Sequence, residues 1–378
     1  MTDIDLQPGP RLAYDTLRRK PARGVPSFMI HVMEHEAIDA LAGAPAGSYV
    51  RRPEETYLAF QRAVGTCLLD QWIPLNPLTM EAHGFENKEK SATQGADLIV
   101  ADGIVIDSPE AVARHMQEIV FPSLKRRIAE FSEEARVREI IESERSIQAT
   151  IAPTMLKTGY AFVTFPGFAY GAYGYVPYFT AYGLYPELME EHFRLQGDYA
   201  LLNNRAAARA FREGKLPPLY RLDHDMADSS GTLASLESLD RIWLPHFARC
   251  IEPVVREGIE LIWHCDGNLM GLFPRLLECG IRGFQGFQYE AGMDYERICR
   301  MCTRDGEELI IVAGVSVTRT LPFGKPQDVK REIDWLVSNG PRTGLFLAGS
   351  SSVTPGVSMD NLRTVVEGFR YYREHGRT

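Results

Sequence analysis

"ELIWHCDGNLMGLFPRLLECGIRGFQGF", residues 260–287, holds the pattern that decides the fold. An apolar run, ELIWHC (260–265), ends in polar residues; a helix-length segment follows, and a second short run, RGFQGF (282–287), begins. Parallel strands need a crossover of about this length, usually a helix. Strand side chains alternate faces, so His264 and Asp266 share a direction while Cys265 points the other way, and Gly267 permits a sharp turn. Three reactive side chains in a row thus reduce to one pair.

The same kind of run recurs along the chain. SFMIHV (27–32), CLLDQWI (67–73), YAFVTF (160–165), LYRLDH (219–224), LIIVAG (309–314) and GLFLAG (344–349) join the two above, most of them separated by helix-length segments. Their apolar content fits strands buried on both faces of a parallel sheet. Eight such runs predict an α/β protein built as a (β/α)8 TIM barrel. Residues 1–24 read as an N-terminal arm with some helix, and 25–378 as a single barrel domain. The charged segment 108–146 reads as a helical insertion over the barrel, with Ser108 as N-cap and Pro109 in the first turn.

Composition narrows the function. The chain has 378 residues, 45% hydrophobic and 24% charged, as in an ordinary soluble globular protein. A net charge of −9, with no basic run longer than Arg18-Arg19-Lys20, argues against a nucleic-acid surface. No apolar stretch approaches the ~20 residues that span a bilayer, and the first residues lack the apolar core of a signal peptide. A cytoplasmic protein with no membrane partner is expected. The six cysteines follow no disulfide-framework spacing, and the lone Cys299-x-x-Cys302 is expected on one face of a packed helix. No P-loop lysine, no GxGxxG after a strand and no GxSxG elbow occur.

In barrels the chemistry sits at the C-terminal ends of the strands. That places His31, Asp223, His224, His264, Asp266 and the run Ser350–Ser352 at one mouth, with Ser351 and His31 as candidate substrate contacts. The stretch 160–185 holds seven tyrosines and four phenylalanines among glycines. It serves either as packing or as an aromatic-walled mouth, for which Tyr173, Tyr175 and Tyr178 are the candidates.

The run LPHFARCIEPVVREGIELIWHCDGNLMGLFPRLLECGIRGFQGFQYEAGMD (244–294) resembles the uroporphyrinogen decarboxylase superfamily in its cobalamin-dependent methyltransferase-like branch. The matching positions are His264, Asp266, Gly267, Pro274, Gly280 to Gly283 and Ala291 to Asp294. LDHDMADSSGTLASLESLDRIWLPHF (222–247) and AGSSSVTPGVSMDNLRTVVEG (348–368) resemble further family segments, and the first makes Asp225 a candidate at the active site. The resemblance implies a barrel enzyme that moves a methyl group between a small-molecule substrate, such as a methyl ether in O-demethylation, and a cobamide. No cobamide-binding Asp-x-His-x-x-Gly motif stands in the chain, so the cobamide would come on a partner corrinoid protein. A homo-oligomer is compatible with this reading.

The decarboxylases of the superfamily bind a polycarboxylate through an early arginine-rich motif. FMIHVMEHEAIDAL (28–41) has no arginine there, which counts against such a substrate. A decarboxylase or lyase acting on a smaller acid is one alternative, and a non-catalytic barrel that binds a corrinoid protein is another. The methyltransferases hold zinc with His-x-Cys and a distant cysteine. Here Asp266 replaces the first cysteine, Ser350-Ser351-Ser352 stands near the second, and no cysteine follows Cys302. A zinc site would therefore be oxygen-rich, with His264, Asp266 and Glu290 as candidate ligands. Without metal, His264 and Asp266 could act as a base and its orienting partner.

Overall fold

The structure, a computed structural model, describes residues 6–75 and 99–377. Its strands are β1 (Leu68–Leu69), β2 (Val100–Ala101), β3 (Ile104–Val105), β4 (Leu156–Lys157), β5 (Leu219–Asp223), β6 (Glu260–His264), β7 (Gly283–Gln285), β8 (Ile310–Val315) and β9 (Leu345–Gly349). Strands β5 to β9 form one parallel sheet in sequence order. The register sets Asp223 beside His264, His264 beside Gln285, and Gln285 beside Val312.

Every residue of β8 and β9 is buried, as the unbroken apolar runs required. Alternation divides the sheet between two cores. Leu219, Ile262, Ile310, Val312, Phe346 and Ala348 pack with Phe28, Leu68 and Leu156 on one side. Leu222, Leu261, Trp263, Ile311, Ala313 and Leu347 belong to the larger core that the helices cover.

The first half is less regular. β1 pairs with β4 in parallel, and single parallel bridges join Ser27 to Leu347, Phe28 to Leu68 and Gly159 to Tyr220. The α/β class holds; among the described residues the continuous ladder is five strands, and the remaining pairings are two-residue pairs and single bridges.

The third expected strand, YAFVTF, is not one. Ala161 has a left-handed φ of 62°, and the N–H groups of Phe162 and Val163 both donate to Tyr220 Oη at 2.8 Å. Asn204 takes both backbone groups of Thr164. With these bonds made locally, no ladder forms. The strand lies earlier, at Leu156–Lys157, where a buried lysine ion-paired to Glu144 at 2.7 Å interrupts the apolar pattern.

Helices Pro109–His115, Phe121–Ala129 and Glu133–Ile151 form the charged segment, the first capped by Ser108 as expected. In the N-terminal arm, whose first five residues lie outside the described set, the helix Pro8–Leu17 buries Ala13 and Leu17. Arg19 then holds Glu260 through two bonds of 2.7 and 2.8 Å. The cysteine pair does not share a helix face: the helix Tyr295–Cys299 stops there, and the exposed Cys302 bridges to Glu308. No helix among the described residues is long and apolar enough to cross a membrane.

Candidate metal and catalytic site

The C-terminal ends of β5 and β6, with the loops that follow them, gather the acidic and imidazole side chains. Asp225, His264 and Asp266 each offer one ligand atom, and these atoms all lie within 4.8 Å of one another. Two glycines make room for this. Gly267 has φ 84°, and a Cβ there would stand 2.6 Å from the Asp228 carbonyl oxygen. Gly286 has φ 94°, and its Cβ would stand 2.5 Å from His264 Nδ1, so only glycine lets the imidazole lie against the end of β7.

Polar contacts tie the loops together. The Asp266 N–H donates to Asp225 Oδ1 at 2.8 Å, and Ser351 Oγ donates to Asp266 Oδ2 at 3.3 Å. His264 Nδ1 and Asp266 Oδ1 are buried with no hydrogen-bond partner. Burial pushes the Asp266 carboxyl upward, opposed by His264 and reinforced by the charges of Asp225 and Asp223. Beside them, Arg221 donates to Asp70 Oδ2 at 2.6 Å and to Asp223 Oδ2 at 2.8 Å. Burial pushes Asp223 up as well, but His264, Arg221 and the Tyr160 hydroxyl together hold it below its ordinary range.

The sequence candidates fall into three groups. Asp225, His264, Asp266 and Ser351 are brought together. His31 is buried near the end of the first segment, where its carbonyl accepts the Val353 N–H at 2.8 Å. Neither of its ring nitrogens has a partner, and burial lowers its pKa to about 4. Glu290 is exposed on the short turn Tyr289–Ala291 and lies outside the cluster; Asp225 holds the position expected of it. Cys265 is buried with its Sγ near the Met226 N–H, turned away as strand alternation required, and burial pushes its thiol well up.

The tyrosines divide differently from expectation. Tyr173 and Tyr178 are core residues, their rings parallel at 6.2 Å, and Tyr173 Oη bonds His115 Nδ1 at 2.8 Å. They wall no mouth. Tyr175 is half exposed and stacks at 4.6 Å on Tyr170. Tyr170 is the tyrosine next to the cluster: its Oη donates to the Asp225 carbonyl at 3.0 Å and its ring stacks on His224. Nothing in the spacing of seven tyrosines singled it out. His224 Nε2 accepts the Phe168 N–H at 2.8 Å, so this imidazole fastens the aromatic loop. Arg221 did leave a signal, since a charge inside an apolar strand is buried only when paired.

One imidazole and two carboxylates, with unpartnered buried atoms among them, fit a divalent metal, zinc included. No cysteine belongs to the cluster.

Residues 225–372 match the family model described as uroporphyrinogen decarboxylase (URO-D). Among solved structures the chain is similar to a methyltransferase from Methanosarcina mazei, with a TM-score of 0.56 and 14% identity, over 97% of this chain and 99% of that one. No curated protein matches the chain in sequence. The family match falls on the part of the chain whose motifs around His264 resemble that family, and Asp225, His264 and Asp266 all lie within it.

Proposed function

We propose that the protein is a methyltransferase that moves a methyl group between a small substrate, such as a methyl ether, and a cobamide carried by a partner corrinoid protein in the cytoplasm. The observation that carries this reading is the convergence of Asp225, His264 and Asp266 at the strand ends, within the stretch that matches the family. The fold shared with a methyltransferase supports it. Residues 25–378 are read as one eight-stranded barrel domain behind the arm 1–24, a reading supported by the bridges that continue the sheet through residues 27–28, β1 and β4.

Asp225, His264 and Asp266 would hold the metal, which when bound supplies an electrophile for the heteroatom that parts from the methyl group. The chain's own residues do the rest. Ser351 orients Asp266, and the Asp225 carboxylate fixes the loop through the Asp266 N–H. Tyr170 and His224 order the aromatic loop beside the cluster. Arg221 is already paired with Asp70 and Asp223, so it offers little to a substrate carboxylate, which argues against the decarboxylase alternative.

The test is spectroscopic. A corrinoid protein in its cob(I) state, given this protein and a panel of methoxyaromatics, is expected to change absorbance only when both are present. No change across a broad panel of methyl donors would defeat the proposal.

A further inference from the structure

Asp223 stands outside the three-residue cluster, yet the fold aims it with unusual care. The parallel register sets it directly beside His264, and strand alternation puts Arg221 and Asp223 on one face of β5. Its Oδ2 accepts from Arg221 Nη1 at 2.8 Å and from Tyr160 Oη at 3.0 Å. Arg221 is itself anchored by Asp70 and lies over the Tyr160 ring at 5.1 Å. Two donors thus hold one oxygen and leave Oδ1 directed at His264 Nε2, 4.0 Å away.

That separation selects among fillers. It is too long for a hydrogen bond, and two bonds of about 2.8 Å through a tetrahedral water span about 4.6 Å. Two metal–ligand bonds of about 2.1 Å span roughly 3.0–4.1 Å for angles between about 90° and 150°. The gap suits a single ion. His264, only 8% exposed, aims Nε2 into that gap, and Asp266 Oδ1 in the same cluster is buried with no partner, which points to the same filler.

We propose that Asp223 is a fourth donor to a divalent ion held by Asp225, His264 and Asp266, and that Arg221 and Tyr160 fix its carboxylate in that pose. The inference rests on the metal reading of the same site and names a ligand beyond the three that cluster. It also accounts for a buried arginine shared by two aspartates: Asp70 balances the guanidinium, which leaves the Asp223 charge for the ion.

Isothermal titration of Zn2+ into the chelator-treated full chain tests it. Asp223→Asn is expected to weaken zinc binding by about 10-fold or more, and Tyr160→Phe by a smaller factor, with metal-free melting temperatures near that of the unsubstituted protein. In zinc-soaked crystals of the unsubstituted protein, the anomalous peak is expected within about 2.5 Å of Asp223 Oδ1. Unchanged affinity in Asp223→Asn, or an ion bound away from Asp223, overturns the proposal; should that variant not fold, the anomalous peak decides alone. Failure of the unsubstituted protein to bind zinc overturns this inference. Tight four-ligand zinc binding without methyl transfer overturns only the functional reading.

Discussion

The two halves of the molecule obey one strand–helix alternation and build different things with it. From Leu219 onward, five strands pair in continuous register, and β5, β6 and β7 end level at Asp223, His264 and Gln285, so that side chains one strand apart meet by backbone geometry alone. Before Leu219, strand contacts shrink to two-residue pairs and single bridges, and side chains do the joining: Tyr220 Oη for Phe162 and Val163, Asn204 for Thr164, Arg19 for Glu260. The lesson is one of division of labour. The regular half supplies the rigid platform a first ligand shell needs, and the irregular half supplies the aromatic loop and helices around it.

The strongest way to break this contrast is at Gly283. A Cβ there would stand 1.9 Å from the Ile310 carbonyl oxygen across the β7–β8 pairing. Gly283→Ala is expected to cost at least about 4 kcal/mol, read by chemical denaturation, and to disturb zinc binding at His264. A fully stable variant would mean that the two strands are not packed as described.

Acid probes the other half. Burial lowers His31 and His192 from 6.5 to about 4. A depressed pKa means that the unfolded chain binds more protons between these values, so stability is full above pH 6.5 and lost as pH falls towards about 4. Each histidine is expected to contribute up to about 3 kcal/mol to that loss. His31→Leu should flatten the denaturation profile below pH 6.5; an unchanged profile would contradict the burial of a neutral imidazole.

The smallest expected effect is at the seam. Tyr220→Phe strips one acceptor from two buried N–H groups and is expected to cost about 2 kcal/mol while leaving metal affinity unchanged. A loss of metal affinity would show that the backbone at Phe162 and Val163 also positions the site.

The same contrast explains what could be read in the sequence. Where strands are long and wholly buried, the runs gave their positions within a residue or two, and alternation separated His264 and Asp266 from Cys265. Where local side-chain bonds replace ladders, apolar content misled: YAFVTF is irregular, and the true strand hides behind a buried lysine. Asp225 was reachable through its motif. The choice of Glu290 followed nearness along the chain, which says nothing of a side chain on an outward-facing turn. Tyr170, rather than Tyr173 or Tyr178, meets the site because of how a short helix is phased, which no periodicity in that stretch reveals.

The account turns on whether the strand-end side chains act as one metal centre. Elemental analysis after equilibration with Zn2+ and removal of free ion tests this most directly, comparing the unsubstituted protein with His264→Ala. The account predicts an equimolar ion in the former and none in a folded His264→Ala. Equal metal content in the two proteins, or none in either, would contradict it.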